Sequence, residues 1–193
     1  MIVSILIPTR GRPEGVLRTI ESIRNTTKPE NVEIILRGDD DDSSFEGLES
    51  KYDLEPDWEN VHFITGPRFE GYNSLAQFYE ECSAAANGDW IMMFNDDTLA
   101  EGKGWDEELA QVPTTGFLCH AAVNYLNRSR YVTGPGPNPY SPFPIVPNRF
   151  WKALGHDKIV NQVDIWFCDV ANKAGWQHIN LARLTIRHNR QNK

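Results

Sequence analysis

No stretch of this 193-residue chain approaches the roughly 18 consecutive apolar residues that a membrane-spanning helix needs. A secretory leader is not expected either: Met1-Ile2-Val3-Ser4-Ile5-Leu6-Ile7-Pro8 has no basic n-region and too short an apolar core. Cysteine is scarce. Cys82, Cys119 and Cys168 are odd in number, far apart and flanked by apolar residues, with no Cys-x-x-Cys spacing. They indicate neither zinc nor a disulfide framework and predict buried, reduced thiols in a cytoplasmic protein. Positive charge is in deficit, with 19 Lys and Arg against 27 Asp and Glu and a formal net charge of −8. That balance excludes a protein that coats nucleic acid by neutralising phosphates. If the chain binds phosphates, positive charge must be supplied locally, and a bound divalent metal is the simplest source. No Gly-x-Gly-x-x-Gly follows the first apolar run and no Gly-Lys-Ser/Thr phosphate loop occurs. A dinucleotide-dependent dehydrogenase and a P-loop nucleotidase are therefore disfavoured.

What is present alternates. Ile2 to Ile7 is a short β-branched run closed by Pro8 and reads as a buried strand. Pro13 can open a helix, where its missing N–H costs nothing, and Val16, Leu17, Ile20 and Ile23 continue at helical spacing. Val32 to Leu36 and Val61 to Thr65 read as further strands. A helix follows from about Ser74 to Ala86, then a strand from Trp90 to Phe94. This order predicts one α/β domain over 1–193, a Rossmann-type sandwich with a mainly parallel central sheet flanked by helices. Residues 1–100 form one half of it and 101–193 the other.

Residues 135–147 carry six prolines, which predicts a long surface loop, neither helix nor central strand. Beyond it, Asn148 to Leu154 reads as a helical turn or two. Val163, Trp166, Phe167, Val170, Ala171 and Ala174 predict a helix stopped by Gly175, and Trp176–Leu181 and Leu184–Ile186 predict two strands.

In parallel α/β sheets ligands bind beyond the carboxyl ends of the strands. That rule selects Pro8-Thr9-Arg10, the segment Arg37 to Ser44 with its four adjacent aspartates 39–42, and Asn95-Asp96-Asp97-Thr98. Carboxylate oxygens suit Mg2+ or Mn2+, which commonly take their remaining ligands from substrate phosphates. Four neighbouring carboxylates repel one another; one at a strand end could instead accept a hydrogen bond from a base N–H. Asp164 falls in the first turn of the later helix, where the dipole favours an ionised carboxylate. His188 lies near the chain end among Arg187, Asn189 and Arg190.

Together these pieces resemble family-2 glycosyltransferases of the GT-A fold. Ser4-Ile5-Leu6-Ile7-Pro8-Thr9-Arg10 resembles the opening strand, and the acidic run the nucleotide-recognition aspartates. Gly71-Tyr72-Asn73-Ser74-Leu75 and Ala85 to Ile91 are similar to the segments before the metal signature. Asn95-Asp96-Asp97 corresponds to the Asp-x-Asp signature, with Asn95 in place of its first acid. Asp164-Ile165-Trp166-Phe167-Cys168 with Lys173-Ala174-Gly175-Trp176 is similar to the catalytic-aspartate segment. The resemblance implies an inverting, metal-dependent transfer of a sugar, of the hexosyl type, from a nucleotide-diphosphate donor, most naturally a UDP-sugar, to an acceptor hydroxyl. Pro8, Thr9, Arg10, Asp39 or Asp40, Arg68, Asn73 and Asp96 would hold the nucleotide. Asp97, with His188, would hold Mn2+ or Mg2+, and Asp164 would act as general base. Two other classes compete: a nucleotidyltransferase, which would release pyrophosphate, and an inactive nucleotide-sugar-binding module.

Overall fold

The computed structural model describes residues 2–47, 59–69, 74–125, 142–154 and 162–188. The first half builds β1 (Val3–Thr9), α1 (Pro13–Arg24), β2 (Val32–Asp39), β3 (Val61–Gly66), α2 (Leu75–Ala84) and β4 (Trp90–Met93). The second half adds β5 (Thr98–Glu101), α3 (Trp105–Leu109), β6 (Phe117–Tyr125), β7 (Pro144–Pro147), α4 (Asn148–Leu154), α5 (Val163–Lys173) and β8 (Gln177–His188). The strands join in one sheet in the order β3-β2-β1-β4-β7-β6-β8-β5. β3, β2, β1 and β4 are mutually parallel, β6 pairs parallel with β8, and β7 and β5 run antiparallel to their neighbours. The expected mainly parallel sandwich is therefore the fold.

Each face of the sheet carries its own core, as a layered α/β domain requires. On one side Val16, Ile20 and Ile23 of α1 and Trp105 and Leu109 of α3 pack against Val3, Ile5, Ile7, Ile34 and Met92. On the other, Tyr79 and Cys82 of α2, Trp151 of α4 and Phe167 and Cys168 of α5 cover Leu6, Ile35, Ile91 and Leu118. The three cysteines are buried free thiols. The sheet curls until its far edge meets α1, where Thr19 Oγ1 donates to the Thr98 carbonyl at 2.8 Å and Ser22 Oγ accepts from Ala100 N at 3.0 Å.

The proline-rich loop is corrected in part. Pro144–Pro147 is β7, an interior strand between β4 and β6. The two prolines stand at its ends, where a missing N–H breaks no ladder, and Ile145 and Val146 supply its middle. Residues 135–141 of that segment lie outside the described ones. The two expected C-terminal strands are one strand, β8, whose pairing with β6 changes register between His120 and Ala122. Residues Leu181 to Leu184 take up the slack. There the Glu108 carboxylate accepts from Ala182 N at 2.8 Å and Arg183 N at 3.0 Å. Gly102, at φ +91°, lets the chain pass so close that a Cβ would lie 2.0 Å from the Arg183 carbonyl oxygen.

Short elements without periodicity were invisible in sequence. α3 is five residues long and is held from outside itself. Its buried Asp106 accepts from Lys28 N at 3.1 Å and Asn31 Nδ2 at 2.8 Å, and Trp105 Nε1 donates to Thr26 Oγ1 at 3.2 Å. Among the described residues no helix is long and apolar enough to cross a membrane.

Candidate active site

The parallel strands deliver their carboxyl ends to one edge, and the segment Thr9–Arg12 runs along it. Each of its four residues meets an acid. Thr9 Oγ1 donates to Asp96 Oδ2 at 2.8 Å. Arg10 donates to Asp39 at 2.8 Å and to Asp41. Gly11 N donates to Asp42 Oδ2 at 2.7 Å, and Arg12 Nη1 lies 3.2 Å from Asp96 and 3.8 Å from Asp97. The segment thus stitches the acidic run after β2 to the turn after β4. It also explains how four consecutive aspartates coexist. Asp39 is held by Arg37 and Arg10, Asp41 by Arg10 and Arg68 (3.8 Å), and Asp42 by Gly11 N and Ser44. Asp40 is exposed, its backbone N–H bonded to the Gly66 carbonyl. The hydrogen bond from Arg10 holds the Asp41 carboxyl below its usual range. Burial pushes Asp42 the other way, but its bonds from Ser44 and Gly11 win and lower it as well.

The turn after β4 is rigidly built. Thr98 Oγ1 donates to the Asn95 carbonyl at 2.6 Å, and Tyr79 Oη contacts the Phe94 carbonyl at 3.0 Å and Asn95 Oδ1 at 3.3 Å. Asn95, standing where the signature has its first acid, is thereby tied to α2 and braces the turn. Asp96 is pushed above its usual carboxyl range by burial, partly offset by Thr9 and Arg12. Asp97 is more open. The antiparallel register of β5 and β8 sets His188 opposite Thr98, so His188 Nε2 arrives 3.3 Å from Asp97 Oδ1. Far from being an exposed tail residue, His188 is buried, its ring edge-on to Phe143 at 5.7 Å. A carboxylate oxygen and an imidazole nitrogen converging in this way fit Mn2+ or Mg2+, which would complete its shell with phosphate and water oxygens. Among the described residues no group of three or more His, Cys, Asp or Glu gathers for a self-sufficient metal site.

Two cavities flank the segment. One, of about 500 Å3, is lined by the acidic run with Phe45, Phe63 and Thr65. The other, of about 320 Å3, lies between the first turn of α1 and Asp96-Asp97 and is bordered by Arg12 and Arg18. Pro8, the last residue but one of β1, is the register partner of Arg37. Asp164 is the second residue of α5. The helix start favours its charged form, yet burial outweighs the backbone N–H groups of Ile165 and Asp164 and raises its carboxyl above the usual range. Asn73 lies outside the described residues.

Sequence reasoning passed over Arg12, and within the segment it selected it gave Asp41, Asp42 and Arg37 no role of their own. The Arg10-Gly11-Arg12 triplet directly after a strand was the available signal for the first three, since two cations there answer the acids across the edge. Arg37 opens the selected segment, but a cation after Ile34-Ile35-Leu36 does not announce a side chain buried in the core.

The architecture is shared with solved structures of low identity, which speak to the fold. S. aureus TarS 1–349 in complex with UDP matches at 13% identity and TM-score 0.72, over 97% of this chain and 60% of that one. The mannosyltransferase PcManGT from Pyrobaculum calidifontis, in complex with GDP-Man and Mn2+, matches at 11% identity and TM-score 0.74, over 99% and 57%. GalNAc-T7 with UDP, GalNAc and Mn2+ matches at 15% and 0.76, over 99% and 44%. The chain therefore spans about 60% or less of the length of these relatives. No curated protein sequence matches it. The sequence model of glycosyl transferase family 2 matches residues 4–142, well over half of the chain, and the protein belongs to that family.

Proposed function

We propose that this chain is an inverting, metal-dependent glycosyltransferase that moves a sugar from a nucleoside-diphosphate donor to an acceptor hydroxyl. One observation carries the reading: Asp97 and His188, far apart in sequence, converge at 3.3 Å beside Asp96 and Arg12 at the carboxyl edge of the sheet. That is where a diphosphate needs countercharge in a protein of net charge −8. Residues 1–100 hold the donor and 101–193 provide the acceptor side. Thr9, Arg10, Asp39 and Arg68 border the nucleoside, with Pro8 and Asp40 beside them, and Asp96 faces the ribose. Arg12 stands by the diphosphate.

Asp97 and His188 would hold Mn2+ or Mg2+, which offsets charge on the departing nucleoside diphosphate when bound. Asp164 accepts the proton of the acceptor hydroxyl while that oxygen attacks the anomeric carbon from the face opposite the leaving phosphate. The new C–O bond forms as the bond to the phosphate breaks, and configuration inverts. A carboxyl raised by burial is a better proton acceptor at neutral pH than an ordinary one. The printed complexes of the structural relatives with UDP, GDP-Man and Mn2+ support a donor of this class. Three buried free thiols support a cytoplasmic setting. Product analysis with a UDP-sugar panel tests the reaction. Free nucleoside diphosphate with transfer or slow hydrolysis is expected; pyrophosphate as product would instead identify a nucleotidyltransferase.

A further inference from the structure

Arg37 is an oddity. It occupies the interior of β2, where its neighbours Ile34, Ile35 and Leu36 are core residues, and its own side chain is wholly buried. Every nitrogen of its guanidinium donates. Nη1 bonds Asp39 Oδ1, Nε bonds Glu81 Oε2 at 2.6 Å, and Nη2 bonds the Pro67 carbonyl at 2.5 Å. Two aromatic rings from outside the strand complete the socket, with the guanidinium carbon 4.4 Å from the centroid of Phe78 and 5.4 Å from that of Phe69. Gly66 is shaped to it: a Cβ there would lie 2.9 Å from Nη2 and 3.1 Å from Glu81 Oε2. Burying a guanidinium is costly even when paired, and an apolar residue would fill a strand interior at least as stably. The socket therefore calls for a reason beyond stability.

Residues two apart on a strand share a face, so Arg37 lies directly behind Asp39. It takes one carboxylate oxygen and fixes the side chain. The other oxygen, Oδ2, accepts from Arg10 Nη1 at 2.8 Å and keeps a further lone pair, and Asp39 lines the 500 Å3 cavity. A carboxylate so held accepts hydrogen bonds and donates none. It complements a base whose ring edge offers an N–H, as uracil and guanine do. Cytosine and adenine present a bare acceptor nitrogen at the corresponding position.

We propose that Arg37 is a positioning residue that aims Asp39 at the base and thereby sets the donor's preference for uracil or guanine over cytosine or adenine. The assignment rests on the donor-site reading above. It is tested by calorimetry of UDP, CDP, GDP, ADP and inorganic pyrophosphate, each with Mn2+, on the wild type, Arg37→Met, Asp39→Ala, the double variant and Glu81→Gln. The wild type should prefer UDP over CDP, or GDP over ADP, by about tenfold or more, the worth of one well-placed charge-assisted hydrogen bond. Arg37→Met should bring that ratio to within about threefold of unity and leave pyrophosphate affinity within about twofold, because the phosphate groups are held elsewhere. The double variant should discriminate no worse than Asp39→Ala, since both remove one interaction. Glu81 is at the half-exposed rim of the socket, so Glu81→Gln keeps the fold should Arg37→Met lose it, and it should also lower the ratio. An unchanged ratio in folded Arg37→Met, or in Glu81→Gln where Arg37→Met does not fold, overturns the assignment and leaves the donor site standing; so do additive losses in the double variant. A folded wild type that binds none of the nucleotides overturns the donor reading and this assignment with it.

Discussion

At the scale of single residues, the chemistry turns on carboxylates whose surroundings differ. Asp164 is raised by burial, so a base role has a pH signature. Transfer should fail as pH falls through the raised value, and this acid limb should lie above the ordinary carboxyl range; a pH profile of kcat checks it. Asp164→Asn should bind donor as the wild type does and lose about 10²-fold or more in transfer, because the amide cannot take the proton. A mere helix-start role would leave both unchanged, since Asn serves a first turn nearly as well. A second pair titrates away from the site. His120 Nε2 and His178 Nδ1 are 2.7 Å apart with rings nearly parallel, and burial pushes His120 down to about 4 and lowers His178. The unfolded chain therefore binds protons first as pH drops, so stability is complete above about 6.5 and is lost from there towards 4. Melting temperatures across that window should fall less steeply in His120→Leu than in the wild type.

At the scale of elements, what could be read beforehand was whatever repeats. The strands β1 to β4 and the helices α1, α2 and α5 carry continuous apolar runs or 3.6-residue stripes, and their bounds fall close to those expected. β5, α3 and β7 are too short for any period, and their reasons to exist are distant. β7 is held by β4 and β6, and α3 by residues of the α1–β2 connection. The same division runs through the site. Thr9, Arg10, Asp39, Asp96 and Asp97 follow strands directly and so were legible. The meeting of His188 with Asp97 depends on β5–β8 register, which no local pattern encodes. That register leans on the close passage at Gly102, where a Cβ would strike the Arg183 carbonyl. Gly102→Ala should cost about 1–3 kcal/mol or more in denaturant melts, through positive φ and overpacking together. It should also weaken Mn2+-dependent nucleotide binding, because β8 carries His188.

At the scale of the whole molecule, the chain places a small cationic seam in an acidic body. Arg10, Arg12, Arg37 and Arg68 pair with carboxylates of the acidic run and of the turn after β4, and on the proposed reading little positive charge is left for a diphosphate. The account therefore requires a divalent ion to bring donor and protein together. Calorimetric titration of UDP and GDP into the wild type and Asp97→Ala, with and without Mn2+, tests this most directly. The account predicts that at least one nucleotide binds the wild type only with Mn2+, and that Asp97→Ala, still folded by circular dichroism, loses that binding. Equal affinity with and without the metal, or an undiminished affinity in Asp97→Ala, would contradict it.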